Sequence, residues 1–403
     1  MGIWVFCTAN FTHIISGSSH WLFLMPINVM FVDVAPFYGG AQRSLYGLVS
    51  HLNRKRFRSF VMSGDGSTNG LTARCKAIGV EATFLPVQPW RRNLSGLLRA
   101  RADFDYVRPK IRDWIGERRI DLVYANGLRS GLLCAMTLPR TVPLIFHHRD
   151  YHGPRLIVKY VVRRANRTIT VSDFVREHCA RIIGPRQARK LSTVYNGFDF
   201  AAKEKLRDAY SYRKRFDVSD DIGMIALVAD MEPWKRHELF LSAIGSAVER
   251  DPRLFALVVG GPRYERVQAY EAGLIAKAEA MGIVEHLAFT GNVDNAMPLI
   301  DACDVLVSVA ANEPFGRTVV EALGCGKPVV VVRGGGPEEI TRNCPAASIV
   351  AARPDAIAAA CLDWIERSAD GDRIACAARK WAARFSIERH TRAVRRIIEV
   401  CLS

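Results

Sequence analysis

Acid is what this sequence is short of. Against 56 lysines and arginines stand only 40 aspartates and glutamates, a formal net charge of +16 at pH 7. A surface of that sign favours anionic partners, whether nucleic acid, acidic lipid headgroups or phosphorylated small molecules, and charge alone does not choose among them. Ordered cysteine spacing is missing too. Cys7, Cys75, Cys134, Cys179, Cys303, Cys325, Cys344, Cys361, Cys376 and Cys401 include no CxxC pair, which argues against a zinc site or disulfide frame and for reduced cytosolic thiols. No apolar run reaches the roughly 18 residues that a spanning helix needs. Met1–Val32 lacks Asp, Glu, Lys and Arg altogether, yet Thr8, Asn10, Thr12, His13 and residues 16–20 interrupt it, and it has no basic segment of the kind that opens a secretory signal. Residues 1–24 are therefore expected to be a leader or a non-native extension, with a membrane anchor as the competing reading.

The rest reads as an ordinary globular chain. With 49% hydrophobic and 24% charged residues over 403 positions, disordered, collagenous and multi-span classes fall away, and the length suits two to three domains. From Met25 onward, β-branched runs alternate with helical text, the pattern of parallel α/β layers. Strands are expected at 27–34, 57–62, 82–87, 121–125, 142–147, 168–171 and 191–195. The alternation resumes at 224–229, 255–259, 287–289, 305–309, 329–332 and 348–350. Between the two series lie Asn196-Gly197-Phe198-Asp199, expected to make a turn with positive φ, and a charged stretch from Lys203 to Asp221. This predicts two Rossmann-like lobes, 25–197 and 198–380, with 381–403 as a helix packing back across them.

In parallel sheets, ligands gather beyond the carboxyl ends of the strands. After the strand 305–309 the chain reads Glu313-Pro-Phe-Gly-Arg-Thr-Val-Val-Glu321. Pro314 and Gly316 shape the loop, and a helix beginning near Arg317 offers free N–H groups to a phosphate. One carboxylate in the loop and another about a turn into the helix could bind hydroxyls at two ends of an extended polyol. The bland alternative is a pair of solvated glutamates beside a turn. Asp103-Phe-Asp105 lies within a basic amphipathic stretch, not at a strand end, and reads as helix surface charge. That stretch, residues 90–119, carries Trp90 and Trp114 among nine basic residues and suits an anionic membrane surface or a solvated face. No nucleic-acid platform accompanies it.

Glu313–Glu321, with Gly326-Lys-Pro-Val-Val behind it, resembles the Glu-x7-Glu motif of the family-4 retaining glycosyltransferases, and the similarity extends along most of the chain from Met25. The resemblance implies an α/β fold of GT-B type, two Rossmann-like lobes facing across a cleft. It also implies transfer of a hexosyl group from a nucleotide-diphosphate sugar to a saccharide or lipid-linked acceptor in cell-surface polysaccharide or lipopolysaccharide biosynthesis, at the cytoplasmic side of the inner membrane. The nucleotide sugar is substrate; no cofactor or metal is implied. By the same resemblance Glu313 faces the donor sugar, Phe315 and Gly316 approach sugar or phosphate, and Glu321 binds the ribose. Gly39 and Gly40 match a phosphate-side glycine loop, Lys235 a lysine on the diphosphate, His147 a histidine beside the reacting sugar, and Gly291 and Val293 a stretch meeting the nucleobase. Arg317, Thr318 and Arg236 complete the expected donor site. Asp230 stands where the family usually has arginine, so a catalytically weak subunit acting as a binding partner is a second reading; a nucleotide-sugar epimerase is a third. At His148, Asp150 and His152 a metal site competes with a solvated cluster.

Overall fold

Short β-branched runs form two parallel sheets in the computed structural model, which describes residues 25–87, 94–200, 209–262 and 268–403. The expected leader, Trp90, Arg91, Arg92 and Lys203 lie outside the described residues. The first sheet contains β1 (Ile27–Asp33), β2 (Phe57–Ser63), β3 (Glu81–Phe84), β4 (Leu122–Asn126), β5 (Leu144–His148), β6 (Arg167–Thr170) and β7 (Leu191–Thr193), in the order β3-β2-β1-β4-β5-β6-β7. The second contains β8 (Gly223–Val228), β9 (Leu254–Val259), β10 (Leu287–Phe289), β11 (Val305–Ser308), β12 (Val329–Val332) and β13 (Ala347–Val350), ordered β10-β9-β8-β11-β12-β13. Every expected strand is present within a few residues of its place. The largest difference is β3, which stops at Phe84, two residues before Pro86, a residue with no N–H to continue a ladder.

Strand order reverses between β1 and β4 in one sheet and between β8 and β11 in the other. The loops leaving these strands diverge and open a crevice. The strands are apolar because helices cover both faces: β4, β5 and β12 are buried at every position.

The segment between the lobes is held by side chains. Phe198 stacks on Phe315 at 6.2 Å and on Phe200 at 6.0 Å, and Phe385 packs on Phe315 and Tyr195 at 6.0 and 5.6 Å. Contrary to the expected positive-φ turn, Gly197 is not among the left-handed residues. Its constraint is steric, because a Cβ there would stand 2.6 Å from His390 Cβ and 2.9 Å from Ile387 Cα. The helical text after Ile374 is also divided. A helix over Gly371–Ala382 belongs to the second lobe, and after a short turn Ser386 starts another, Ile387–Leu402, which returns to the first. There Val394 and Ile398 join the core formed by Leu45, Leu48 and Tyr124.

A polar clamp complements this packing. The Glu339 carboxylate of the second lobe accepts hydrogen bonds from the backbone N–H groups of Asp173 and Phe174 and from the Tyr195 hydroxyl, all at 2.8 Å. It thereby caps the first-lobe helix Asp173–Ile183 with a negative charge at the positive end of its dipole. Charge-assisted bonds of this kind are the stronger class. Glu339→Ala is expected to cost about 2 kcal/mol, read by calorimetry as a lowered unfolding temperature, whereas Glu339→Gln, which keeps one acceptor oxygen, should cost less.

Candidate active site

Where the two sets of loops face each other they enclose a cavity of about 470 Å³. From the first lobe come Phe37, Gly39, Gly40 and Arg43 after β1 and Arg149 and Asp150 after β5. From the second come Asp230, Trp234 and Lys235 after β8, Asn292 and Val293 after β10, and Glu313–Thr318 with Glu321 after β11. Two helix N-termini open onto this space, those of Gly40–His51 and Arg317–Cys325. Their unpaired N–H groups make an anion-favouring wall. The two lobes nearly touch here, since a Cβ on Gly40 would stand 2.9 Å from Arg317 Cδ.

The loop bearing Glu313 is fixed through its backbone. Asn312 and Gly316 adopt positive φ (53° and 95°), which turns the chain off β11 and into the helix. Gly336 donates its N–H to the Glu313 carbonyl at 2.7 Å, and Ser172 donates its hydroxyl to the Pro314 carbonyl at 2.6 Å. A Cβ on Gly336 would stand 2.5 Å from Phe315 Cα. The glycine run after β12 is thus required by contact with this loop.

Most of the expected donor-site residues meet at this cavity: Gly39, Gly40, Lys235, Val293, Glu313, Phe315, Gly316, Arg317, Thr318 and Glu321 all line it. They are internally paired. Lys235 Nζ donates to Glu313 Oε2, and Arg317 Nη2 donates to Glu321 Oε1 at 3.0 Å, each side chain less than a fifth exposed. Three expected residues do not line it. Arg236, at φ 57°, forms the left-handed joint between a short turn and the helix His237–Val248. Gly291 pairs with Gly260, a lining residue, its carbonyl accepting the Gly260 N–H at 3.1 Å.

His147 is the third. It is fully buried, with Nδ1 hydrogen-bonded to the Tyr124 hydroxyl and its ring stacked 6.3 Å from His390. Burial, with Arg149 nearby, holds its pKa well below the usual imidazole range. The next residue whose side chain reaches the cleft is Arg149, which sequence reasoning left out.

Arg149 belongs to a buried polar network. Its Nε donates to Asn126 Oδ1 and its Nη1 to Asn196 Oδ1 at 2.7 Å, an oxygen that also accepts from Ser44 at 3.0 Å. Asn126 donates in turn to Asp33, which accepts from Gln42 at 2.9 and 3.1 Å and from the Ala35 N–H at 2.9 Å. Burial raises the Asp33 pKa against the pull of these donors. Polar residues at the carboxyl ends of otherwise apolar strands, Asp33 on β1 and Asn126 on β4, were the available clue. Asn196, expected only to begin the turn between the lobes, also lines the cavity. Among the described residues no three His, Cys, Asp or Glu side chains converge to hold a metal ion.

Family models agree with this geometry. That for glycosyl transferases group 1 matches residues 211–381, and that for Glycosyltransferase Family 4 matches residues 38–202. The chain belongs to the family-4 glycosyltransferases. Its fold is the two-lobed GT-B arrangement. Among curated proteins, this family-4 chain is 31% identical over 185 residues to D-inositol 3-phosphate glycosyltransferase 2 of Catenulispora acidiphila, a match covering 44% of the chain and 42% of that protein. It is 21% identical over 187 residues to the N-acetyl-alpha-D-glucosaminyl L-malate synthase of Bacillus anthracis, covering 46% of each. The matches thus span about half the length of these relatives. Among solved structures, Anabaena HepE in complex with UDP-glucose superposes with a TM-score of 0.77 at 21% identity, over 93% of this chain and 100% of that one. WaaG, a glycosyltransferase involved in lipopolysaccharide biosynthesis, gives 0.67 at 16% identity, over 92% and 99%.

Buried imidazoles give this family-4 chain a pH signature. Burial lowers the pKa of His148, His237 and His390 to about 4 each, against about 6.5 in an unfolded chain. Between these values the unfolded state binds protons that the folded state refuses, so stability falls as pH drops from about 6.5 toward 4 and is unaffected by these groups above that window. Both ring nitrogens of His148 lack partners, and the ring packs 5.2 Å from Phe146. His148→Phe should shrink the loss of denaturation midpoint between pH 7 and pH 5 and leave the midpoint at pH 7 equal or higher.

Proposed function

We propose that the protein transfers a hexosyl group, with retention and without a metal ion, from a nucleotide-diphosphate sugar to a saccharide or lipid-linked acceptor. The observation that carries this reading is the placement of Glu313 and Glu321 on one cavity wall, on either side of the N-terminus of the helix Arg317–Cys325. A donor lying along that wall presents sugar hydroxyls to Glu313, diphosphate to the helix N-terminus and Lys235, ribose to Glu321 and base to the backbone near Val293. Lys235 and Arg317 then exchange a glutamate partner for phosphate oxygens. HepE, the solved neighbour with UDP-glucose, supports a nucleotide-sugar donor, and WaaG supports a role in cell-surface polysaccharide or lipopolysaccharide assembly.

The reaction that suits this wall is a front-face displacement. The acceptor oxygen bonds to the anomeric carbon on the side from which the phosphate oxygen departs, and the acceptor's proton passes to that oxygen. Lys235 and the helix N–H groups stabilise the charge that develops on the leaving diphosphate. No described helix is long and apolar enough to cross a membrane. The helix Leu94–Glu117 turns Phe104, Val107 and Ile111 into the core, and the basic residues of the longer stretch 90–119 are the surface by which we place the protein at the inner, cytoplasmic membrane face.

Asp230 favours a second reading. A carboxylate on the cavity wall opposes a diphosphate by a few kcal/mol at contact for an effective ε near 20, which suits a subunit that binds donor weakly or not at all. Purified protein incubated with UDP-, GDP- and ADP-sugars should slowly release nucleoside diphosphate from at least one. Glu313→Ala should lower that rate by about 100-fold or more. Absence of donor binding, with no change on Glu313→Ala, selects the binding subunit.

A further inference from the structure

The cavity wall carries four cations, Arg43, Arg149, Lys235 and Arg317, and four carboxylates, Asp150, Asp230, Glu313 and Glu321. Two of the cations are already neutralised, Lys235 by Glu313 and Arg317 by Glu321. Arg43 gives its Nη2 to the carbonyl of Asp294 at the exposed rim. Arg149 differs from Lys235 and Arg317 in having no carboxylate partner and from Arg43 in being buried, although Arg317 also keeps Nε and Nη1 without a partner. Arg149 is 93% buried (7% exposed), among the described residues its hydrogen-bond partners are two amides, and its Nη2 has no partner. No carboxylate lies within ion-pair distance of it among the described residues; Asp33, reached through Asn126, and Asp150 act on it only at longer range.

Leaving a guanidinium out of water without a counter-ion costs several kcal/mol. Proteins keep such a charge where an anion arrives to meet it. The two amides fix the guanidinium from behind, so a ligand does not have to order a long side chain before using it. Burial lowers its pKa, but a guanidinium starts high enough to stay charged.

We propose that Arg149, reaching the cleft from the first lobe, binds the diphosphate of the nucleotide sugar from the side opposite Lys235 and offsets the charge of Asp230. This assignment rests on the reading of the cavity as the donor site. It makes diphosphate recognition depend on both lobes, since Asn126, Asn196 and Arg149 sit on the first and Lys235 on the second.

The test compares wild type with Arg149→Gln by calorimetric titration of UDP, GDP and ADP and of the matching nucleosides. For whichever diphosphate binds, Arg149→Gln should weaken it at least about tenfold, as loss of a charge-assisted bond does, and change nucleoside affinity less than about twofold. Equal weakening of both, or of neither, overturns the proposal. Should Arg149→Gln fail to fold, a crystal structure of the wild type with the bound diphosphate decides: Nη2 within hydrogen-bond reach of a phosphate oxygen supports the assignment, and no contact overturns it. If no nucleotide binds to the wild type, the donor-site reading falls and takes the assignment with it, an outcome distinct from a diphosphate that binds without Arg149.

Discussion

The backbone of residues 312–316 holds one path, and residues of both lobes are arranged to keep it there. Gly336 and Ser172 pin its carbonyls from the two lobes. Phe315 is locked among Phe198, Tyr195 and Phe385. Positive φ at Asn312 and Gly316 sets the exit from β11 and the entry into the following helix. Because these restraints act on main chain and on Phe315, the loop bearing Glu313 is held without drawing on its carboxylate, which pairs with Lys235. The hinge aromatics therefore serve two roles, joining the lobes and bracing the loop.

Charge in the cavity follows from the same economy. Lys235 with Glu313 and Arg317 with Glu321 are compact pairs, each side chain partly shielded from solvent. A pair of this kind neutralises both members when alone, yet either can be drawn apart by a ligand that offers an equivalent partner, because the gain of a half-buried ion pair over its desolvation is small. The N-lobe network is built differently. Asp33, Asn126, Arg149, Asn196 and Ser44 bridge β1, β4, β5, the inter-lobe segment and the helix Gly40–His51. Its buried members brace one another, and the network ties the floor of the cleft to the hinge.

The alternation of apolar runs and helical text was legible along the whole chain, since parallel strands under two helical layers leave a plain trace in sequence. So was the Glu313–Glu321 segment, whose Pro, Gly and two glutamates are local features. Position along a strand that is buried on both faces was not legible. At β5 every residue is buried, so alternation gave no hint that His147 turns inward and Arg149 reaches the cleft. Gly197 misled for another reason: the glycine answers to Ile387 and His390, residues nearly two hundred positions away, and not to its own backbone angles. Arg236 and Gly291 likewise sit in the expected loops but do not line the cavity, which depends on turn geometry that the residue types alone leave open.

The return of the helix Ile387–Leu402 to the first lobe has a consequence for how the chain comes to be made. The first sheet is complete in sequence by β7, yet Leu45, Leu48 and Tyr124 take Val394 and Ile398 as part of their cover. On the ribosome, that apolar face waits uncovered until the entire second lobe has been synthesised. The lobe translated first is thus the last to be finished, and its exposed seam is where a chaperone would find its grip.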